Sequence, residues 1–148
     1  MTSRPIQAVL ALTMVGAIAF GGARSSIRAQ AGRTVWDGVY SKEQQQRGRA
    51  LYDERCASCH GSELTGLDVA PPLAGGAFQS NWTGLTVGDL AERIRISMPQ
   101  GSEGTLSRQQ VSDIIAAIFA VNEYPSAQME LPKEIELLKQ IQIAARKP

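Results

Sequence analysis

The sequence predicts an all-α fold with a C-terminal helical extension, and three observations predict it. Ser41, Thr86 and Ser107 each carry Gln or Asp three places on and open an apolar, helix-spaced stretch, the signature of a capped helix start. No strand or βαβ pattern surrounds these stretches. The run Cys56-Ala57-Ser58-Cys59-His60 holds both cysteines and the only histidine of the chain, so whatever chemistry they perform is gathered at one point.

The 148 residues suffice for one domain plus extensions, and 43% hydrophobic with 20% charged residues is an ordinary globular balance. Met1 to Ala31 stands apart. Arg4 gives a positive start, Ala8 to Phe20 is apolar without a charge, and Ala29-Gln30-Ala31 forms an A-x-A site. This is the layout of a signal peptide over residues 1–31, with cleavage after Ala31 or after Ala23. An uncleaved anchor is the alternative, and only then would the protein meet the membrane. The apolar run is shorter than the ~20 residues that a spanning helix prefers. Both readings place the domain outside the cytoplasmic membrane, in the periplasm. Removing Arg4, Arg24 and Arg28 turns the formal charge from +1 to −2, with 12 basic and 14 acidic residues. No basic patch remains to suggest nucleic acid.

In chain order, residues 32–40 read as an extended lead-in carrying Val35, Trp36, Val39 and Tyr40. Ser41-Lys42-Glu43-Gln44 caps a helix expected from Lys42 to about Cys56. Gly48 lies inside it at a cost of ~1 kcal/mol against alanine, which is reasonable where another helix approaches closely. Gly61 to Gly76, with Pro71-Pro72, reads as loop anchored by Leu64, Leu67, Val69 and Leu73. The whole stretch from Gly61 to Leu85 shows little core of its own. Thr86-Val87-Gly88-Asp89 opens a helix over Val87–Ser97, which stops before Pro99 because proline disfavours helical geometry in the preceding Met98. Ser107 caps a helix from Arg108 to about Val121 with Val111, Ile114, Ile115, Ile118 and Phe119 on its apolar face, and Asn122 ends it. The domain is expected over residues 41–122. Residues 123–148 form the extension, with one amphipathic helix from Lys133 to Ala145 through Ile135, Leu138 and Ile141.

Cys-x-x-Cys-His reads as covalent haem attachment: two thiols add across the haem vinyl groups, and the next residue lies under the iron. Three other readings compete. A thioredoxin-like pair wants a strand and a βαβ context. A structural zinc site wants four ligands, and here there are three. A disulfide across two intervening residues would close too small a ring to stabilise much. Haem attachment alone accounts for the spacing, the histidine, the export signal and the helical context together. With one histidine, bis-histidine ligation within the chain is excluded, so methionine is the candidate for the second axial position. Met1 and Met14 lie in the presumed signal; of Met98 and Met129, position favours Met98. In Pro71-Pro72 a proline has no N–H but offers a carbonyl, the kind of acceptor a ligating imidazole needs for its second nitrogen. Trp82 carries an indole N–H suited to a haem propionate or, alternatively, simple packing.

Gly48, Tyr52, Cys56, Cys59, His60, Pro71-Pro72-Leu73 and Met98-Pro99 stand in an order that resembles single-haem class I c-type cytochromes of the bacterial periplasmic kind. The resemblance covers about Ser41 to Asn122. It implies a class I cytochrome c fold around one covalent haem c, an iron held by His60 and Met98, a histidine oriented by the Pro71 carbonyl, and Gly48 and Tyr52 crossing the last helix. Ala117 departs from the pattern, since many members carry an aromatic there. Val35 to Tyr40, the Phe78 to Leu85 stretch with Asn81 and Trp82, and the long tail are similar to cytochromes associated with pyrroloquinoline-quinone-dependent dehydrogenases. The function implied is electron transfer rather than enzymatic catalysis, with redox proteins such as a quinoprotein dehydrogenase or a terminal oxidase as partners. Two alternatives stay open: a dedicated dehydrogenase subunit docking through its tail, and a haem sensor or enzyme with an open iron site.

Overall fold

The computed structural model describes residues 32–68 and 70–146; the expected signal segment and the expected anchor Val69 lie outside them. In order, the chain forms β1 (Arg33–Thr34), a 3-10 turn (Val35–Asp37), α1 (Lys42–Arg55), α2 (Ala57–His60), α3 (Gly75–Trp82), α4 (Val87–Ser97), α5 (Arg108–Val121), α6 (Ile135–Leu138) and β2 (Ile141–Gln142). Helices dominate, as expected, and the two short strands form a minor parallel pair.

α5 is the centre. Every residue from Val111 to Phe119 is buried, so the expected one-sided stripe became an all-round core helix. The reason is that its far face is covered by the tail as well as by α1 and α4. Its start is a complete capping box between Ser107 and Gln110, and α4 has the same device in Thr86 and Asp89. At α1 only half the box forms. The Ser41 hydroxyl accepts from the Gln44 N–H at 3.1 Å, but the Gln44 side chain turns inward instead of back. Its amide donates to Ser112 Oγ (3.1 Å) and to the Leu131 carbonyl (3.0 Å), and its Oε1 accepts from the Leu131 N–H at 2.7 Å. A fully buried amide must satisfy its donors and acceptor inside the protein, and here it does so by joining α1, α5 and the tail.

α1 crosses α5 at Gly48, where an added Cβ would overlap the Asp113 carbonyl. The glycine is therefore required by backbone approach. Arg47 spans the same crossing, reaching Asp113 Oδ2 at 3.1 Å and Glu130 Oε2 at 2.9 Å. Near the end of α5, Phe119 sets its ring 6.4 Å from Tyr40 and 5.4 Å from Tyr124.

Three segments differ from expectation. The stretch after the cysteine motif contains α3, which buries Phe78 completely, and Leu64 is also in the core; Leu67, expected as an anchor, is 50% exposed. α3 has no side-chain cap of its own at Ala74; the Gly75 N–H is met at 3.0 Å by Asn122 Oδ1, from beyond α5. The lead-in is extended only over β1 and then tightens into a turn capped by Thr34 and Asp37, with Val35, Val39 and Tyr40 fully in the core. The tail helix expected over Lys133–Ala145 is a single turn, α6, followed by β2. Ile141 and Ile143 are buried around the exposed Gln142, an alternation that suits a strand. Residues 135, 138 and 141 fit a helical stripe in the sequence, but the β-branched Ile-Gln-Ile run takes the strand period once β1 is there to pair with.

Candidate functional site

The cysteine motif grows directly from the end of α1. The Cys56 N–H closes the last turn on the Tyr52 carbonyl at 2.8 Å, and the Cys59 and His60 N–H groups both return to the Cys56 carbonyl, at 3.1 and 2.9 Å. This winds α2 into one tight turn that carries both thiols and the imidazole. Tyr52, fully buried, donates its hydroxyl to the Gly61 carbonyl at 2.8 Å, pinning the exit of the motif to α1. The two sulfurs are not bonded to each other; Cys56 is half-buried and Cys59 exposed. Burial pushes the Cys56 thiol up to about 11, against a smaller opposing pull from Arg55.

His60 is 8% exposed. Its Nδ1 lies 2.9 Å from the Pro71 carbonyl oxygen. A carbonyl can only accept, so Nδ1 carries a proton, and in the neutral ring this tautomer leaves the lone pair on Nε2. Among the described residues no hydrogen bond is made to Nε2. The loop that brings Pro71 here is set by its backbone. The Gly66 N–H bonds the His60 carbonyl at 2.8 Å, and Leu73 bonds back to Leu64 at 2.8 Å. Gly66 has φ +78, and a Cβ there would come within 2.6 Å of the Ala70 carbonyl and 2.8 Å of Pro72 N. Asn122 fixes the far side of the loop by donating to the Leu73 carbonyl at 2.9 Å.

The donor set fits a covalently held haem: two free thiols on one turn, and an imidazole with one nitrogen engaged and the other available. The structure brings Pro71 to His60 as expected. Met98 is the C-cap of α4, extended and half-buried, its N–H closing on the Ile94 carbonyl at 2.9 Å. Met129 is 57% exposed and lines a shallow groove with Gly32, Arg33 and Leu137, on the β1–β2 side. Trp82 is half-buried at the end of α3, its ring 6.4 Å from Phe78. No hydrogen bond of its indole N–H is found among the described residues, whereas the Trp36 indole donates to the Ala144 carbonyl at 2.9 Å.

Sequence reading missed two contributors. The Tyr52 hydroxyl bond has no local signature. Asn122 was read only as a helix stop, yet it caps α3 and holds the Pro71 loop; its place directly after the strongest helix was the one available signal.

The family model described as "Cytochrome C oxidase, cbb3-type, subunit III" matches residues 43–116, a span that includes Cys56, Cys59, His60, Pro71, Trp82 and Met98. Cytochrome c-554(547) of Halothiobacillus neapolitanus is 35% identical over 78 residues, which is 51% of this chain and 71% of that protein. Among solved structures, the sulfane dehydrogenase SoxCD from Paracoccus pantotrophus aligns with a TM-score of 0.49 and 26% identity, over 83% of this chain and 68% of that one.

Proposed function

The chain belongs to the c-type cytochrome family, as a haem electron carrier with covalently bound haem c, and on that premise we propose that it is a periplasmic one-electron carrier. In this reading Cys56 and Cys59 are the attachment thiols, and His60 and Met98 the axial ligands of the iron. The bound haem supplies an iron that alternates between ferric and ferrous states. The observation that carries the reading is the His60–Pro71 hydrogen bond. It fixes the tautomer of the neutral ring, leaves Nε2 to serve as the ligating atom and raises the basicity of that nitrogen. Met98 is supported by elimination, since Met129 stands in solvent on the side of the terminal strands. A thioether is a soft donor that favours ferrous iron and raises the potential. Trp82, whose indole N–H has no hydrogen-bond partner among the described residues, is assigned to a propionate.

Export rests on the signal-like residues 1–31, and residues 32–148 as the mature chain follow from it. Among the described residues no helix is long and apolar enough to cross a membrane. The proposed partners are redox proteins, with a quinoprotein dehydrogenase or a terminal oxidase as the classes to try. The family description names an oxidase subunit, which supports the second. Leu131, Leu138, Ile141 and Ile143 are each at most 2% exposed, so docking through the tail would use its exposed face at Met129 and Leu137 instead of that stripe. Absorption spectra of oxidised wild-type protein and Met98→Ala test the ligand set. The near-infrared sulfur-to-iron band is expected in the first and absent from the second. No band in wild type overturns Met98 as ligand and favours an open iron site; a band that survives the substitution overturns Met98 and moves the sulfur ligand to Met129.

A further inference from the structure

α4 is held unevenly. Val87, Gly88, Leu90 and Ala91 at its N-terminal half are buried, while Arg93 and Arg95 are exposed and Ile96 is 63% exposed. What seats the buried half is largely the tail, which packs on α4 at least as extensively as α5 does. Ahead of the helix, the Gly84 N–H donates to the Ile143 carbonyl and the Ile143 N–H to the Leu85 carbonyl, both at 2.9 Å. Thr86, the N-cap, bridges to Gln142. Two residues further, Gly88 lies against the Lys139 backbone, where an added Cβ would be 2.9 Å from Lys139 N and 3.1 Å from its Cα. Lys139 Nζ then reaches Glu92 Oε1 at 3.0 Å. Ile135 and Leu138 lie around one small cleft with Ala91 and Arg95 of α4 and Val111 of α5.

We propose that this strap, residues 131–144, is a positioning element for the sixth iron ligand: by seating the first half of α4 it sets where Met98 presents its sulfur. The proposal rests on the ligand reading above. A helix of this length acts as a lever. From Gly88 to Met98 the arm is about 15 Å, so a tilt of about 10° moves Met98 by roughly 2.6 Å. Metal–ligand distances tolerate only about 0.2 Å, so a small loss of seating at Gly88 is enough to detach the sulfur while leaving the core helices in place. The strap is thus a positioning device acting through α4, without touching the iron.

The test uses oxidised holoprotein titrated with guanidinium, following the sulfur-to-iron band and far-UV circular dichroism in parallel, with amide hydrogen exchange on α4 and α5. Gly88→Ala pushes the Lys139 backbone away, and Ile143→Ala removes the apolar anchor beside Leu85. Ile114→Val, at the α1–α5 crossing, is the control. Both strap variants are expected to lose the band at lower denaturant than helicity. Their α4 amides should exchange at least about tenfold faster, with the α5 centre unchanged. The control should lower both midpoints together. Should Gly88→Ala fail to accumulate, Ile143→Ala decides. A band lost in step with helicity in the strap variants overturns the proposal alone. A wild-type spectrum without the band overturns the ligand reading and this proposal with it.

Discussion

Where α1 meets α5 the two backbones approach until no Cβ fits at Gly48, and the polar groups around the contact are answered from three segments by Gln44, Ser112 and Leu131. α4 is attached in another way. Its C-terminal half is exposed at Arg93, Arg95 and Ile96, and its buried half is seated by Val87, Leu90 and Ala91 in the core, by backbone bonds to the tail and by one exposed ion pair. The first arrangement is over-determined, because several buried groups would each be left unsatisfied if it opened. The second can yield locally. Since His60 follows from α1 and Met98 ends α4, the two faces proposed for the iron are held with different stiffness: the histidine side by the core, the methionine side by a strap.

Three substitutions bear on this contrast, from the largest effect to the smallest. Gly48→Ala forces a methyl into the Asp113 carbonyl and is expected to cost about 3 kcal/mol of global stability. Denaturant melts read by haem absorption and by circular dichroism should shift together. A loss below about 1 kcal/mol would show that the crossing gives way more easily than the contrast requires. Gln44→Ala strands the Leu131 N–H and removes a partner of Ser112, and should cost about 2 kcal/mol. Because Leu131 begins the strap, hydrogen exchange should rise at both the crossing and α4; a rise confined to α1 would separate the two regions more sharply. The smallest effect concerns Asp89. The Thr86 hydroxyl and then its N–H bond this carboxylate and hold it below its usual 3.8. The stability it contributes is therefore present above that unfolded value and lost as the pH falls through the lower folded one. Acid should weaken α4 in the wild type, and Asp89→Asn should flatten that part of the pH profile, measured as denaturant midpoints at about pH 6 down to about pH 3. An unchanged acid limb in the variant would move the sensitivity elsewhere.

The boundaries of α1, α4 and α5 were legible because each rests on a local rule: a hydroxyl cap, an apolar stripe, a stop at Met98-Pro99 or Asn122. Gly48 was legible because an interior glycine wants a reason, and the crossing supplies it. A proline carbonyl as partner of His60 was visible through the chemistry a ligating imidazole needs, and the family resemblance pointed to Pro71. Much of what could not be read is satisfied from far along the chain. α3 lacks a local cap because Asn122 supplies it from 47 residues away. Gln44 looks like a cap residue and serves as a buried bridge to Leu131, 87 residues on. The tail looked helical because its isoleucines fit two periods, and only the presence of β1 selects between them.

That pairing of β1 with β2 has a mechanical side. The strands are parallel, Arg33 beside Ile141 and Thr34 beside Gln142, so the chain enters at one end of the pair and leaves at the other. Tension applied between the two ends of the domain would act along the strands in opposite directions and load the ladder in shear, all bonds at once, instead of peeling them singly. The same load would pass through Ile143 into Leu85 and the Trp36 indole into Ala144. A carrier pulled by both ends would thus resist through this one two-stranded sheet before its helices felt the force.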